Sequence, residues 1–314
     1  TEDDGTTPSG TLTISDADDG DSPAFTAVSS ATASTGGYGT YTVTSGGLWT
    51  YTQGANMQGL DADESASDTF TVGASDGTSQ TVTITLTGAN DASSIGGTST
   101  GAMTEDDGTT PSGTLTISDA DGDDSPSFAT DVTSTATDSG YGTYTLTSGT
   151  WAFTAGSTMQ GLDASEVVTD TFTVTASDGT TQEVTITLTG ANDAPVFSDG
   201  GSASVSVEEG TTTVATYAAT DADDSAVVTY SVSGGADSAL FSVVSTTGAL
   251  TFSTAPDYDS GSACAAGNSC VVELTASDTA DTDTITVTIA ITDANDQTPS
   301  YSSADTTPNV DEGD

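Results

Sequence analysis

An internal repeat of about one hundred residues is the feature that most limits what this chain can fold into. Thr1–Asp18 recurs residue for residue as Thr104–Asp121, and Met57–Ala62 recurs as Met159–Ala164. A repeat of this length has the size of one small domain, so the 314 residues are predicted to form a row of about three modules. The predicted modules are residues 1–91, 92–193 and 194–296, followed at 297–314 by the start of a next module or by a strand shared with a neighbour.

The apolar residues of each module alternate with Thr and Ser, which is the pattern of β-strands with one buried face. Segments such as Asp76-Gly77 separate these runs and indicate hairpin turns. About six or seven short strands in each module predict an immunoglobulin-like β-sandwich. The predicted core positions are Leu12, Ile14, Tyr41, Val43, Trp49, Tyr51, Phe70, Val72, Ala74, Val82, Ile84 and Leu86 in the first module, and Val205, Val207, Val228, Tyr230, Val232, Leu250, Phe252, Leu274, Ala276, Ile285, Val287, Ile289 and Ile291 in the third.

The charge of the chain is one-sided, with 47 acidic residues and no Lys, Arg or His. No basic side chain can neutralise a carboxylate, so the folded chain repels itself unless a cation comes from solution. High acidity is also typical of disorder, but the regular apolar alternation argues against it. A salt-adapted acidic surface is the other explanation of the charge, and it does not account for where the acidic residues lie.

The missing basic residues also exclude several classes of function. Phosphate backbones and anionic lipids are bound through Lys and Arg, so we expect no nucleic-acid partner and no polybasic membrane contact. No run of about eighteen apolar residues is present, so we expect no membrane insertion. We expect no enzyme, because His and Lys are absent and each acidic cluster lies at a turn or at a module end.

The two cysteines, Cys264 and Cys270, flank a short Gly/Asn loop, and we predict a local disulfide between them. A disulfide indicates an oxidising compartment outside the cytoplasm. A zinc site is excluded, because it needs four ligands and the chain has neither His nor a third Cys.

Short acidic linkers end the predicted modules. They are Gly88–Asp91, Gly190–Phe197 and Asp293–Pro299, and their first residues lie 102 and 103 residues apart. Ca²⁺ takes about six to eight oxygen ligands from carboxylates, amides and carbonyls, whereas zinc and copper prefer His or Cys. The residue types therefore favour calcium as the cofactor at these linkers.

The third module contains a series of acidic motifs, which are Glu208-Glu209, Asp221-x-Asp223, Asp257-Tyr258-Asp259, Ala276-Ser277-Asp278 and the linker Asp293–Pro299. Through these motifs the module resembles a bacterial cadherin-like repeat. The first two modules resemble the VCBS-type repeats of large RTX-type bacterial surface adhesins, through Gly-Thr-Tyr-Thr-(Val/Leu), Trp-x-(Tyr/Phe) and Thr-Gly-Ala-Asn-Asp. Together the two resemblances imply an all-β chain of tandem immunoglobulin/cadherin-like β-sandwich modules in a linear array.

In cadherins calcium lies between modules, so the resemblance implies one set of ligands for each linker. The first set is Glu2, Asp61, Asp63 or Glu64, Asn90, Asp91, Asp119, Asp121 and Asp178. The second set is Glu105, Asp163, Glu166, Asn192, Asp193, Asp221, Asp223 and Asp278. The third set is Glu208 or Glu209, Asp257, Asp259, Asp293, Asn295 and Asp296. Gly88 and Gly190 depart from the family, whose full linker motif has an Asp there, and Ala92-Ser93 replaces Ala-Pro.

Two further features leave alternatives open. Asp18–Asp21 and Asp121–Asp124 form either an additional ion site within a loop or a polar turn. Trp49 and Trp151 lie on alternating strands and are predicted to pack in the core, and the alternative is stacking on a sugar.

The resulting prediction is a calcium-rigidified extracellular segment that spaces and stiffens the cell-surface fibre of a large bacterial adhesin. One alternative is a subunit of a self-assembling extracellular filament or sheath, in which Pro299–Asp314 of one chain adds a strand to the next. Another is an adhesive module that binds a ligand or sugar. The expected partners are neighbouring modules of the same array or identical subunits, with cell-surface glycans and other cells as further candidates.

Overall fold

β-Strands make up most of the regular structure in the computed structural model, which describes residues 1–18, 20–122, 124–261 and 263–298. The described part of the chain also contains three short 3-10 helices, at Ala55–Gly59, Ser157–Gly161 and Ser238–Leu240. The predicted further module or shared strand at 297–314 lies outside the described residues, apart from its first two positions. No helix in the described ranges is long and apolar enough to cross a membrane.

The described residues of the first predicted module form six strands in two sheets. They are β1 (Ser9–Thr11), β2 (Val28–Ala33), β3 (Gly39–Val43), β4 (Leu48–Gln53), β5 (Ser65–Gly73) and β6 (Ser79–Thr87). One sheet has the order β1-β4-β3-β2, and the other is the antiparallel pair β5-β6. The predicted inward residues of β3 to β6 that are buried in the core are Val43, Tyr51, Phe70, Val72, Val82, Ile84 and Leu86.

In the second predicted module, the part that the structure describes forms eight strands. They are β7 (Ser94–Gly97), β8 (Thr100–Thr104), β9 (Ser112–Ser118), β10 (Val132–Ala136), β11 (Gly142–Thr147), β12 (Thr150–Ala155), β13 (Val167–Thr175) and β14 (Thr181–Thr189). Their sheets have the orders β10-β11-β12-β9-β7 and β13-β14-β8. β7 and all of β8 except its last residue, Thr104, come before the repeated sequence begins.

Nine strands lie in the described ranges of the third predicted module, 194–261 and 263–296. They are β15 (Val196–Phe197), β16 (Ser202–Glu208), β17 (Thr213–Thr216), β18 (Ala219–Thr220), β19 (Thr229–Gly234), β20 (Phe241–Val243), β21 (Ala249–Phe252), β22 (Ser269–Ser277) and β23 (Thr282–Thr292). The larger sheets have the orders β16-β23-β22-β19 and β17-β21-β20, and β16 runs parallel to β23. Cys264 and Cys270 form a disulfide, as predicted.

The predicted strand through Leu12 and Ile14 is wrong in the first module, because β1 ends at Thr11. The identical sequence in the second module forms the longer strand β9. β9 is held on its second edge by β7, with Ile95 opposite Ile117, whereas β1 is the outer strand of its sheet. Strand length here depends on a pairing partner and not on local sequence.

Trp151 packs in the core, as predicted. It is fully buried and lies edge-on to Phe172, with ring centroids 5.9 Å apart. Trp49 has the same relation to Phe70 at 5.7 Å, but it is only half-buried. A buried indole cannot stack on a sugar, so the alternative of sugar binding is wrong for Trp151.

Each sheet in the described ranges draws its strands from one predicted module. The chain also divides into two compact units by its internal contacts. The first comprises 1–103, 107–156 and 168–188, and the second comprises 104–106, 157–167 and the chain from Thr189 onward. The module boundaries at 91/92 and 193/194 stay predictions.

Candidate metal centres

The first acidic site brings together Glu2, Asp3, Asp91, Asp119 and Asp121. The backbone N–H of Asp91 donates to the carboxylate of Asp121 at 3.0 Å, and the N–H of Asp121 donates to Asp119 at 3.1 Å. Glu2 and Asp121 are buried, with 2% and 4% of their surface exposed. The site therefore combines carboxylates from before, within and after the linker Gly88–Asp91.

The position of Glu2 follows from its backbone. Its N–H donates to the carbonyl of Thr87 at the end of β6, which anchors the residue beside the linker. Its carboxylate then accepts hydrogen bonds from the N–H of Ala89 at 3.0 Å and from the side-chain amide of Gln58 at 2.9 Å. Gln58 also donates to Asp3 at 3.1 Å, so one amide holds two neighbouring carboxylates.

The second acidic site repeats this arrangement with Glu105, Asp106, Asp193, Asp221 and Asp223. Glu105 N–H donates to Thr189, and its carboxylate accepts from Ala191 at 3.0 Å and from Gln160 at 2.9 Å. The N–H of Asp193 donates to Asp223 at 3.1 Å, and the N–H of Asp223 donates to Asp221 at 3.1 Å. Since the third module differs in sequence from the second, the recurrence reflects the acidic motifs themselves.

Several carboxylate oxygens of both sites are buried without a hydrogen-bond partner. They are Oδ2 of Asp91, Oδ1 of Asp121, Oδ2 of Asp193, Oδ2 of Asp221 and Oδ1 of Asp223. A buried carboxylate oxygen without a partner is costly, and the cost is removed when a cation coordinates it. These oxygens are the atoms at which a metal ion fits the two sites.

Burial and neighbouring carboxylates shift the pKa values of the two linker aspartates, Asp91 and Asp193. Burial raises the pKa of Asp193, and the carboxylates of Asp106, Asp223 and Asp221 raise it further. Burial also raises the pKa of Asp91, with additional effects of Asp3, Asp121 and Asp119. Like charges thus converge on both linker aspartates, which is the electrostatic environment that favours a bound divalent cation.

Gly88 and Gly190 stand where the cadherin linker motif has an Asp, and the structure gives the reason. A Cβ at Gly88 would lie 2.2 Å from the carbonyl oxygen of Asp61, and a Cβ at Gly190 would lie 2.3 Å from that of Asp163. No side chain fits this close backbone approach. The departure from the motif is therefore required by packing at both linkers.

The third acidic site contains Glu209, Asp259, Asp293 and Asp296. Glu209, Asp259 and Asp296 can direct one carboxylate oxygen each to within 4.8 Å of one another. Glu209 occupies the place of Glu2 and Glu105, because its N–H donates to Thr292 and its carboxylate accepts from Ala294 at 2.8 Å. Of the two predicted glutamates, Glu209 is buried in this cluster, while Glu208 is exposed on β16, and the choice between them as a ligand stays a prediction.

The remaining predicted ligands lie around these sites in other contacts. Asp163 accepts hydrogen bonds from the N–H and hydroxyl of Ser225, and Glu166 accepts from the N–H of Asp163. Asp61, Asp63 and Glu64 form the equivalent turn, where Glu64 accepts from the N–H of Asp61.

The other predicted ligands make separate contacts. Asp178 accepts from the N–H of Ser93 at 2.7 Å, and Asp257 accepts from the N–H of Ser260. Asn90 donates to the carbonyl of Asp91, and Asn295 is exposed next to Asp296.

Asn192 makes the richest contacts of the linker amides. Its side chain donates to the carbonyl of Asp193 at 2.8 Å and to the carboxylates of Asp278 and Asp281 at 2.9 Å each. Asp281 was not among the predicted ligands.

Sequence reasoning missed Asp3 and Asp106, which follow the buried glutamates. Both have positive φ, 56° and 58°, and this left-handed backbone turns them toward the linker aspartates whose pKa they raise. It also missed Gln58 and Gln160, which hold these pairs of carboxylates. All four lie in segments that recur between the repeats, and that recurrence was the available signal.

The two acidic loops are close clusters in the structure. Asp16, Asp18 and Asp21 can each direct a carboxylate oxygen to within 4.8 Å of the others, and so can Asp119, Asp121 and Asp124. The first cluster is fully exposed, whereas Asp119 and Asp121 belong to the first acidic site. Asp19 and Asp123 lie outside the described residues.

Comparison with known proteins supports a bacterial Ig-like repeat at the N-terminal end. Residues 1–88 match the family model described as "Bacterial Ig domain". The assignment of VCBS-type repeats stays a prediction. A search of curated proteins found no match for this chain.

Solved cadherin structures are similar to this chain at low identity. Mouse cadherin-23 EC22-24 is 18% identical, with 87% of this chain and 86% of that chain covered and a TM-score of 0.42. The protocadherin GammaB4 extracellular domain is 16% identical, with 87% and 44% covered and a TM-score of 0.44. Protocadherin Gamma B2 domains 1-5 are 17% identical, with 87% and 53% covered and a TM-score of 0.47. The chain thus spans about half of the length of these two protocadherin structures.

Proposed function

We propose that this chain is a calcium-rigidified extracellular segment of a large bacterial surface adhesin, which spaces and stiffens a cell-surface fibre. The observation that carries the proposal is the set of buried carboxylate oxygens without partners at the first and second acidic sites. The chain contains no basic side chain that could neutralise them. A cation from solution is the counter-charge that remains, and the all-oxygen donors suit calcium.

Calcium bound at these sites would restrict hinge motion at the linkers. In the first and second sites the linker bonds a glutamate that precedes it and an aspartate that follows it, as when Ala191 N–H donates to Glu105 and Asp193 N–H donates to Asp223. An ion bound to all three would cross-link the segments that precede, form and follow the linker. Hinge motion at the linker would then require breaking metal–oxygen contacts.

The energetic effect follows from ordinary linkage. Extracellular calcium modules bind with dissociation constants of roughly 10⁻⁴–10⁻³ M. At free calcium about 100 times the dissociation constant, one site adds about 2.7 kcal/mol to the free energy of unfolding. This is a sizeable part of the roughly 5–15 kcal/mol that a typical domain has. An extracellular location supplies the oxidising conditions that suit the Cys264–Cys270 disulfide.

Calorimetric titration with Ca²⁺ and thermal unfolding, each with and without a chelator, test the proposal. We expect Asp223→Asn to remove one class of calcium sites and to abolish part of the calcium-dependent rise in Tm. Asp199→Asn is the matched control, because Asp199 is an exposed loop residue that belongs to none of the acidic sites. Unchanged melting and unchanged hydrodynamic dimensions after chelation would refute the proposal.

A further inference from the structure

The disulfide of the third module closes a short loop, residues 264–270, which we call the disulfide loop. Cys264 is 7% exposed, and Cys270, near the start of β22, is fully buried. The N–H of Cys264 donates to the carbonyl of Gly267 at 2.8 Å, and the N–H of Gly267 donates back to the carbonyl of Cys264 at 3.0 Å. The loop thus has backbone contacts of its own besides the covalent bond.

The carboxylate of Asp237 joins the two ends of the disulfide loop. Its Oδ1 accepts a hydrogen bond from the N–H of Ala265 at 2.6 Å, and its Oδ2 accepts one from the N–H of Val271 at 2.7 Å. These two donors are the residues that directly follow the two cysteines. The N–H of Asp237 also donates to the carbonyl of Val271 at 3.0 Å. One residue therefore fixes the backbone next to each cysteine.

Asp237 is buried, with 5% of its surface exposed, and the sequence contains no basic side chain that could pair with it. A buried carboxylate is costly unless hydrogen bonds satisfy it, so its contacts favour the closed form of the disulfide loop. The loop supplies only backbone N–H groups to these contacts, and none of them requires the S–S bond. The Cα atoms of Cys264 and Cys270 lie 5.0 Å apart, within the range that a disulfide needs.

Two other loops of the chain are held by a buried aspartate and contain no cysteine. In the second module, Asp170 is fully buried and accepts hydrogen bonds from the N–H groups of Ser139 and Tyr141 at 2.8 and 3.0 Å. In the first module, Asp68 holds the corresponding loop in the same way. A buried carboxylate with neutral donors therefore closes a short loop in this chain without a covalent bond.

We propose that Asp237 is a positioning residue for the disulfide, which keeps the disulfide loop closed when Cys264 and Cys270 are reduced. The two thiols then stay at pairing distance, and the bond re-forms without refolding of the module. With glutathione disulfide as the oxidant, one cysteine thiolate attacks it and releases one glutathione. The other cysteine thiolate attacks the mixed disulfide and releases the second glutathione, so two electrons and two protons pass from the cysteines to glutathione. The proposal does not depend on calcium.

Amide hydrogen exchange in the full chain tests whether the disulfide loop stays closed without the S–S bond. We expect the amides of Ala265 and Val271 to remain protected in a Cys264→Ser/Cys270→Ser variant and in the wild type reduced by a phosphine. Exchange of both amides at the rate of an open loop would overturn the proposal. This measurement needs no change at Asp237, so it remains a test even if a variant of Asp237 does not fold.

Equilibration of the full chain with reduced and oxidised glutathione measures the positioning effect itself. We expect Asp237→Asn to lower the equilibrium constant for disulfide formation about tenfold, which makes the reduction potential about 30 mV less negative. The reason is that an asparagine presents an N–H₂ group to one of the two backbone N–H groups and so releases one end of the loop. Asp199→Asn is the matched control and should leave the constant unchanged. An equal constant in Asp237→Asn and the wild type would contradict the proposal.

Discussion

Tyr51 donates its phenolic hydroxyl to Oδ2 of Asp68 at 2.8 Å, and both side chains are fully buried. The second repeat places Phe153 and Asp170 at the same positions, so the two repeats differ there by one hydroxyl. Asp68 also accepts hydrogen bonds from the Ser34 hydroxyl and from backbone N–H groups, and no basic residue contributes. The carboxylate is thus held by neutral donors alone.

Tyr51→Phe should lower the free energy of unfolding of the first module by about 1–2 kcal/mol, because a buried carboxylate loses a hydrogen bond. Denaturant unfolding followed by Trp49 fluorescence measures this. The reciprocal change, Phe153→Tyr, is the matched control and should not destabilise the second module. Unchanged stability of the Tyr51→Phe variant would show that Asp68 does not depend on this donor.

The stability of the first module should fall in acid because of Asp68. Burial raises the pKa of this carboxyl, but hydrogen bonds from Ser34, Tyr51, Gly36 and Thr69 outweigh burial and lower it below its ordinary 3.8. The folded state therefore binds the proton less tightly than the unfolded state does. The stabilisation of the folded state by the Asp68 carboxylate is therefore complete above pH 3.8. This stabilisation is lost as the pH falls through the lowered pKa of the folded state. The difference in unfolding free energy between the wild type and Asp68→Asn, measured against pH, should shrink in that range.

Asp193→Asn should have opposite effects with and without calcium. In a chelator the change removes one of several crowded carboxylates, so Tm should rise by a few degrees. In calcium it removes a ligand, so Tm should fall relative to the wild type. Scanning calorimetry in both buffers measures the effect, with Asp199→Asn as the control. A change of the same sign in both buffers would argue against a metal at the second acidic site.

Gly190→Ala should destabilise the second acidic site by about 1–3 kcal/mol, since its Cβ would lie 2.3 Å from the carbonyl oxygen of Asp163. Calcium affinity should fall with it, because the linker that carries Asp193 must shift. Gly201→Ala is the control, as a Cβ there meets no atom within 4 Å. Thermal unfolding and calcium titration of the two variants measure these effects. Equal Tm values and equal calcium affinities would show that the linker accommodates the added Cβ without loss of stability.

The sequence predicted those parts of the fold that depend on local pattern. The alternation through Val82, Ile84 and Leu86 predicted β6, because the period of a strand is visible in its own residues. The short length of β1 was not predictable, because it depends on whether a strand such as β7 lies beside it. Pairing across a sheet is a tertiary property.

The residues of the acidic sites were also predictable only in part from the sequence. The linker aspartates and Glu2 were identified from motifs, and the structure brings them together. Asp3 was missed, because its contribution depends on a left-handed backbone angle that an Asp adopts only in a suitable context. The reason for Gly88 also became visible only in the packing of its Cβ position against Asp61.

The parallel pairing of β16 with β23 has a mechanical consequence. Tension applied before Ser202 and after Thr292 pulls the two strands in opposite directions along their common axis. The hydrogen bonds along the whole paired length then carry the load together and must break at once, whereas a hairpin pulled from its open end breaks one pair at a time. We expect such a module to lengthen only above a threshold force.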